Sequence, residues 1–422
     1  MSTQSATKTQ VAVIGAGIGG LAAALFLRAR GFEVSVFEAN SRSRVEESTV
    51  RGNGIHLYFH CARMLHRAGL PLDQYLTPLD IQMRRDDGTM RADISRTVQL
   101  QICPALKVIR ASTYSLLRQH LYRVLVEHTP RDSLHCDKRC TGVTQHGDRV
   151  EVLFDDRDAI TADFVVGADG IHSVLADQFF GPRRVNKHGI VIVQGLSSYD
   201  GLDPIETWLL HRNGGTMGLV PVILPSQRPG TFWWITVARS ELDDSGRTDL
   251  ASYQSVCTRY SWNFVHRVAA HTDPLSLERW YSQDKIPLRR WFWGRVAMLG
   301  DACHASTPFS GYGAGMSIED GYWLAHFLGH PGILGRPRDL YRALTDYQAR
   351  RAAWTARIVR QARVLMRTLH PPNRLAATGI NTLWRTGLPA PLIARKFVSV
   401  FEQGLNDTEW AAHEVDTGKL DL

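Results

Sequence analysis

The chain has 422 residues, 44% of them hydrophobic and 21% charged, with a formal net charge of +8. That length supports two or three domains around a large buried core, and the composition reads as an ordinary soluble globular protein. The basic residues are mostly arginines spread over the whole length, without a sustained run or a nucleic-acid-binding signature. They therefore read as solvated surface with a mild attraction for anionic cofactors, and no nucleic-acid partner is expected.

No stretch of 18 apolar residues occurs, and the N-terminus MSTQSATKTQ is polar where a secretory signal needs an apolar block. The expectation is a cytoplasmic protein without a transmembrane segment. Six cysteines are scattered, and Cys136 and Cys140 form the one close pair. A zinc site would want a second such pair or a spaced histidine pair, so no metal is expected.

In chain order, Val11 to Ile14 (VAVI) is a short apolar run suited to a buried parallel strand. The glycine turn GAGIGG and the helix-forming run LAAALFLRAR follow it. Gly15, Gly17 and Gly20 fit the dinucleotide fingerprint: one glycine for the tight turn, one for close approach of a pyrophosphate, one for helix-on-strand packing. A second strand, FEVSVFE, ends at Glu38, 18 residues after Gly20, where a carboxylate can accept hydrogen bonds from an adenosine ribose. FAD and NAD are both open at this point.

Farther on, the apolar FVV runs into Gly167-Ala168-Asp169-Gly170, a turn that places Asp169 near a ligand. The strand RVAMLGD ends in Gly300 and Asp301, and SIEDGYWLAHFL has helical apolar spacing. Between them lie Pro308, Gly311, Gly313 and Gly315, so that several backbone N–H groups converge at a helix N-terminus that favours an anion.

GAGIGG, GADG and GDACHASTP, in this order, resemble the motifs of the group A flavoprotein monooxygenases, the para-hydroxybenzoate hydroxylase-like family, over about residues 10 to 360. PFSGYGAGMSIEDGYWLA is most similar to the salicylate hydroxylase branch. The resemblance implies an α/β protein: a Rossmann-like FAD-binding domain, an inserted antiparallel β-sheet substrate domain and C-terminal helices. It implies non-covalent FAD, reduced by NAD(P)H as a transient cosubstrate, and O2 captured as a flavin hydroperoxide that delivers one oxygen atom to a substrate. Asp301 should face the ribityl or pyrophosphate region, Gly313 and Ala314 the flavin pyrimidine edge. VIRASTYSLLRQHL resembles the family's arginine-led helix, so Arg110 should contact FAD, with Arg118 as a second candidate.

HGIVIVQGLSSY, ETWLLHR, TMGLVPVIL and TFWWITVAR are short β-rich segments that read as a sheet covering the flavin face, with the substrate beneath it. The expected division is FAD-binding segments 1–73, 101–185 and 285–364, sheet segments 74–100 and 186–284, and a C-terminal helical segment 365–422. Strand alternation makes Thr216, Gly218, Val220 and Trp233 candidates for the pocket, although Met217 and Leu219 compete as the other parity; Trp233 and Trp234 cannot share a face.

Phe309-Ser310-Gly311 stands where the salicylate hydroxylase branch usually has His-Gln-Gly, and Ser173 lacks the arginine usual three residues later. Phe309 and Ser310 therefore point to a largely apolar aromatic or polycyclic substrate, to be hydroxylated or epoxidised. His56 and Tyr312 are the candidates for orienting a phenol or acting as base. A flavin oxidase, a halogenase on the same scaffold, and an FAD-binding protein without turnover are the competing readings.

Overall fold

The protein is described from a computed structural model that covers residues 10–50, 54–93, 113–201, 205–211, 215–239 and 257–371, with isolated positions outside these spans. Arg110 lies outside the described residues.

Six strands form the first sheet in the spatial order Phe292–Trp293, Val296–Met298, Phe164–Gly167, Gln10–Ile14, Glu33–Phe37 and Leu134–His135, parallel throughout except for the first. Its central strands are continuous apolar runs because both faces are covered. One cover is the helix Ile18–Ala29, which meets the helix Gly313–Leu328 so closely that a Cβ on Gly321 would lie 2.8 Å from the Ala23 Cα. Small residues at this crossing bring two helix N-termini to the same edge of the sheet. A separate three-stranded antiparallel sheet is built from Cys140–His146, Arg149–Phe154 and Ala159–Ala162.

The larger sheet runs in the order Glu278–Asp284, Asn186–Ser197, Pro229–Ala238, Thr216–Ile223, Ile205–Leu210, Thr77–Arg85, Thr113–Leu117 and Gly54–Tyr58, with Met90–Asp93 paired to Thr77–Arg85. It is antiparallel but for the parallel pairing of Ile205–Leu210 with Thr77–Arg85. It also recruits Gly54–Tyr58 and Thr113–Leu117, which the sequence reading placed in the FAD-binding segments.

One face of the large sheet is sealed by the helix Asn263–Ala270, against which Met217, Leu219, Trp233 and Ile235 are buried. The opposite face looks toward the parallel sheet. The helix Pro337–Leu369 runs beyond the expected boundary at 364 and buries Leu340, Leu344, Tyr347, Arg351, Trp354 and Ile358, a spacing of three and four residues that makes one helical stripe. Among the described residues no helix is long and apolar enough to cross a membrane.

Candidate active site

A cavity of about 500 Å³ lies between the two sheets. Gly17 and Gly20 border it from the first glycine turn, and Gly300, Asp301, Pro308, Gly311, Gly313 and Ala314 border it from the loop that precedes the helix Gly313–Leu328. The fingerprint glycines divide their work as their surroundings dictate. Gly15 has φ +105°, and a Cβ there would lie 2.4 Å from the Ala168 carbonyl oxygen, so it makes the turn. A Cβ on Gly20 would come 2.0 Å from the Gly15 oxygen, so this glycine lets helix meet strand, whereas a Cβ on Gly17 would meet nothing within 4 Å. Gly17 is the position where a ligand can approach the backbone.

The helices Ile18–Ala29 and Gly313–Leu328 both begin at this cavity, and neither has a side-chain cap on its first N–H groups or an acidic residue in its first turn. Unpaired N–H groups and the positive end of each helix dipole are thus left for an anionic ligand. Asp301 is exposed to the cavity, a carboxylate acceptor beside those donors. Enclosure by protein pushes its carboxyl above the ordinary range, with His304 opposing the shift and Asp320 adding to it.

A buried charge network holds this loop. Asp320 accepts from the Gly300 N–H at 2.9 Å, lies 2.6 Å from His304 Nε2 and accepts from Arg351 Nε at 2.8 Å. Glu319 pairs with the same arginine, with His60 Nε2 at 2.6 Å and with the Tyr312 hydroxyl. Burial alone would raise the Glu319 carboxyl, but Arg351 and His60 outweigh it and hold it at about 2. Atoms of His60, Cys61 and Glu319 also lie within 4.8 Å of one another, a spacing compatible with metal ligation. Arg351 already supplies the positive charge there.

Several sequence candidates are placed differently. The Tyr312 ring borders the cavity, but its hydroxyl is turned into the Glu319 network and burial, then Cys61 and Glu319, push it well above the ordinary phenol range. Glu38 is buried, its Oε2 accepting from the Ala16 N–H at 2.7 Å and its Oε1 from the Asn40 N–H at 2.9 Å, so it braces the glycine turn. Asp169 Oδ2 accepts from the N–H groups of Val174 at 2.8 Å and Leu175 at 3.3 Å, and so caps the helix Val174–Phe180. A Cβ on Gly315 would strike the Tyr312 ring at 2.3 Å, which makes this glycine a packing position.

The sheet wall shows the same parity logic. Ile192, Gln194, Trp208, Val220, Phe232, Trp234, Thr236 and Trp280 face the cavity, joined from the other side by Ile55, His56, Phe309 and Ser310. Trp233 points to the sealed face, where its Nε1 donates to Thr272 Oγ1 at 2.9 Å. Thr216 is on the same face as Val220 but is buried and pairs with Thr236 Oγ1 at 3.0 Å, while Gly218 makes room for the Trp234 indole, whose Cε2 would lie 2.1 Å from a Cβ at that position. Phe232 and Trp234 were missed because alternation fixes which residues share a face but not which face is covered; the apolar stripe of the helix Asn263–Ala270 was the available signal. Arg118 also borders the cavity.

Two uncapped helix N-termini, an open glycine and an exposed carboxylate around one cavity suit the pyrophosphate, ribityl chain and ring edge of FAD, and they define a flavoprotein. The chain belongs to the family of the FAD binding domain, whose model matches residues 8–362. It is 31% identical over 388 residues to the 3-amino-4-hydroxybenzoate 2-monooxygenase of Streptomyces cremeus, covering 86% of this chain and 88% of that protein. It is 29% identical over 367 residues to the FAD-dependent urate hydroxylase of Klebsiella pneumoniae, covering 83% and 88%. The solved structure of Klebsiella pneumoniae HpxO with FAD and uric acid superimposes with a TM-score of 0.78 at 25% identity, covering 94% of this chain and 97% of that one. Within the family the protein is a group A FAD-dependent monooxygenase, an oxidoreductase.

Proposed function

We propose that the protein uses NAD(P)H and O2 to place one oxygen atom on a largely apolar aromatic or polycyclic molecule held between the sheet wall and the Phe309–Gly311 loop. The observation that carries this reading is the division of one cavity into two chemistries. One end is lined by backbone donors and Asp301, the other by Ile192, Trp208, Val220, Phe232, Trp234 and Trp280. Bound FAD supplies the two-electron and oxygen chemistry; the protein's share is binding, orientation and water exclusion.

Gly17 and the Ile18–Ala29 helix end would hold the pyrophosphate, and Asp301 would accept from a hydroxyl of the ribityl chain. The N–H groups of Gly313 and Ala314 would meet the flavin pyrimidine edge, where a fixed donor array stabilises negative charge without reorganising. His56 is the one imidazole among the described residues of the wall and would accept a substrate proton. The test is direct. Purified protein should release FAD on denaturation, consume NAD(P)H faster when an aromatic substrate is present, and yield a product heavier by one oxygen. A protein that takes up no FAD, or that consumes NAD(P)H with every aromatic tried and oxygenates none, would sink it.

A further inference from the structure

Gln194 is 2% exposed and stands on the cavity side of the strand Asn186–Ser197, in step with Ile192. Its register partners are Glu278 on one side and Trp234 on the other; Trp234 is paired with Gly218, and Gly218 with Trp208. One row across the wall therefore reads Glu278, Gln194, Trp234, Gly218, Trp208. Its far end is braced by Trp208 Nε1, which donates to Glu206. An amide buried beside indoles is costly unless its polar atoms are paired.

Glu278 decides which way that amide points. Gln194 Nε2 donates to Glu278 Oε2 at 2.9 Å. An ionised carboxylate only accepts, so the amide nitrogen is the atom on the Glu278 side and the carbonyl oxygen is carried on the other arm. Trp234 leaves room beside it: the indole lies over Gly218, with Cε2 2.1 Å and Nε1 2.2 Å from where a Cβ would be, and so leans away from Gln194. On the other flank Trp280 stands opposite Ile192, two residues along the strand from Glu278. Gln194 thus lies between two indoles that border the same cavity. Two ring faces with an amide carbonyl between them complement a flat aromatic molecule that carries a hydrogen-bond donor.

We infer that Gln194, oriented by Glu278, selects the substrate: an aromatic molecule seated between Trp234 and Trp280 gives a phenolic O–H or ring N–H to Gln194 Oε1, and one without a donor at that point is disfavoured. The discrimination comes from the group left unpaired, since a ring without the donor would displace water from the buried carbonyl and return no hydrogen bond. Gln194 is the specificity-determining residue, and Glu278 is a positioning residue that acts through it.

This inference rests on the monooxygenase reading above and is tested on the FAD-loaded protein. The probes are naphthalene-2-ol, 2-methoxynaphthalene, which keeps the oxygen but loses the donor, and naphthalene, each titrated against the absorption of bound FAD. In the unaltered protein naphthalene-2-ol should bind about tenfold more tightly than either of the others. Gln194→Leu, close in size and without polar atoms, should bring the three affinities within about threefold of one another while FAD content is retained. Glu278→Gln lets the Gln194 amide turn over, so it should weaken naphthalene-2-ol and strengthen 2-methoxynaphthalene, whereas loss of mere structural support would weaken all three alike. Equal binding of the three probes, no spectral response to any of them, or an unchanged preference in folded Gln194→Leu would overturn the inference. If Gln194→Leu does not fold, the unaltered protein and Glu278→Gln decide the matter. Loss of FAD binding or of NAD(P)H-dependent oxygenation would sink the functional reading and this inference with it, whereas both present without a donor preference removes only the role of Gln194.

Discussion

Asp320 and Gly300 are joined by a hydrogen bond of 2.9 Å from the glycine N–H to Oδ2, so a carboxylate inside the helix Gly313–Leu328 fixes the backbone just before Asp301. Arg351 holds the same carboxylate from the long C-terminal helix. The cofactor loop is thus tied to a residue 51 positions later in the chain. Arg351→Met would leave Glu319 and Asp320 buried without their shared cation. It should cost about 3–5 kcal/mol in urea unfolding, since removing one partner of a buried pair leaves uncompensated charge. An unchanged unfolding midpoint would show that the pair is solvated.

The same network predicts the acid limit of stability. The Glu319 carboxyl falls from its ordinary 4.5 to about 2 in the folded protein, and Asp320 is also lowered, burial being outweighed by His304 and Arg351. Groups lowered by folding contribute stability that is full above the unfolded value and is lost as pH falls toward the folded one. The thermal midpoint should therefore decline between about pH 4.5 and 2. Glu319→Gln should start lower and decline less steeply over that window. An equally steep decline would assign the acid limit to other carboxylates, such as Asp284, which accepts from Arg363 Nε at 2.6 Å.

The glycine turn, the two parallel strands beside it and the Gly300–Asp301 loop were legible because each is a local pattern: an apolar run, glycines at fixed offsets, a helix signature. Contacts between distant segments were not. Nothing near Glu38 in the chain announces that Ala16, 22 residues earlier, takes its carboxylate. Tyr312 looked available because its partner Glu319 lies seven residues on, two turns along the helix that Tyr312 precedes. Glu206 went unremarked inside IETWLL, although one acid in a buried strand that is otherwise uncharged is a signal in its own right.

Gly17 and Gly20 should separate cofactor binding from folding. Gly17→Val adds a side chain where the first atom meets nothing within 4 Å, so the apo protein should unfold near the unaltered midpoint while FAD affinity drops at least about tenfold. Gly20→Ala drives a Cβ to within 2.0 Å of a backbone oxygen and should destabilise the apo fold itself. Calorimetry of apo and FAD-loaded protein reads both effects; equal apo stabilities of the two variants would contradict the division of roles.

Asp301 and Asp169 offer a parallel contrast. Asp301→Ala removes an acceptor exposed to the cavity and should weaken FAD by about 1.5–3 kcal/mol, the worth of a charge-assisted hydrogen bond. Asp169→Ala removes the cap on Val174 and Leu175 and should lower stability by about 0.5–2 kcal/mol with FAD affinity nearly kept. Equilibrium dialysis of FAD, run beside urea unfolding, would exchange the two assignments if the pattern came out reversed.

Trp233 and Trp234 are neighbours with opposite fates, and their substitution tests the orientation of the whole sheet. Trp233 has no exposed surface, packs with Met217, Leu219 and Ile235 and donates to Thr272. Trp233→Ala should cost about 3–5 kcal/mol of stability through the cavity it leaves and should leave aromatic binding in the surviving folded protein unchanged. Trp234 lies over Gly218, with its ring centroid 6.0 Å from that of Trp208 in an edge-to-face pair that forms part of the wall. Trp234→Ala should therefore weaken an apolar aromatic ligand such as naphthalene-2-ol by about 1.5–3 kcal/mol with FAD content intact, because the lost apolar surface is surface the ligand would bury. It should cost less stability than Trp233→Ala, since its indole already faces open space. If Trp233→Ala were instead the variant that lost the ligand, the substrate would have to lie on the face now sealed by the helix Asn263–Ala270, and the cavity between the sheets would belong to FAD alone.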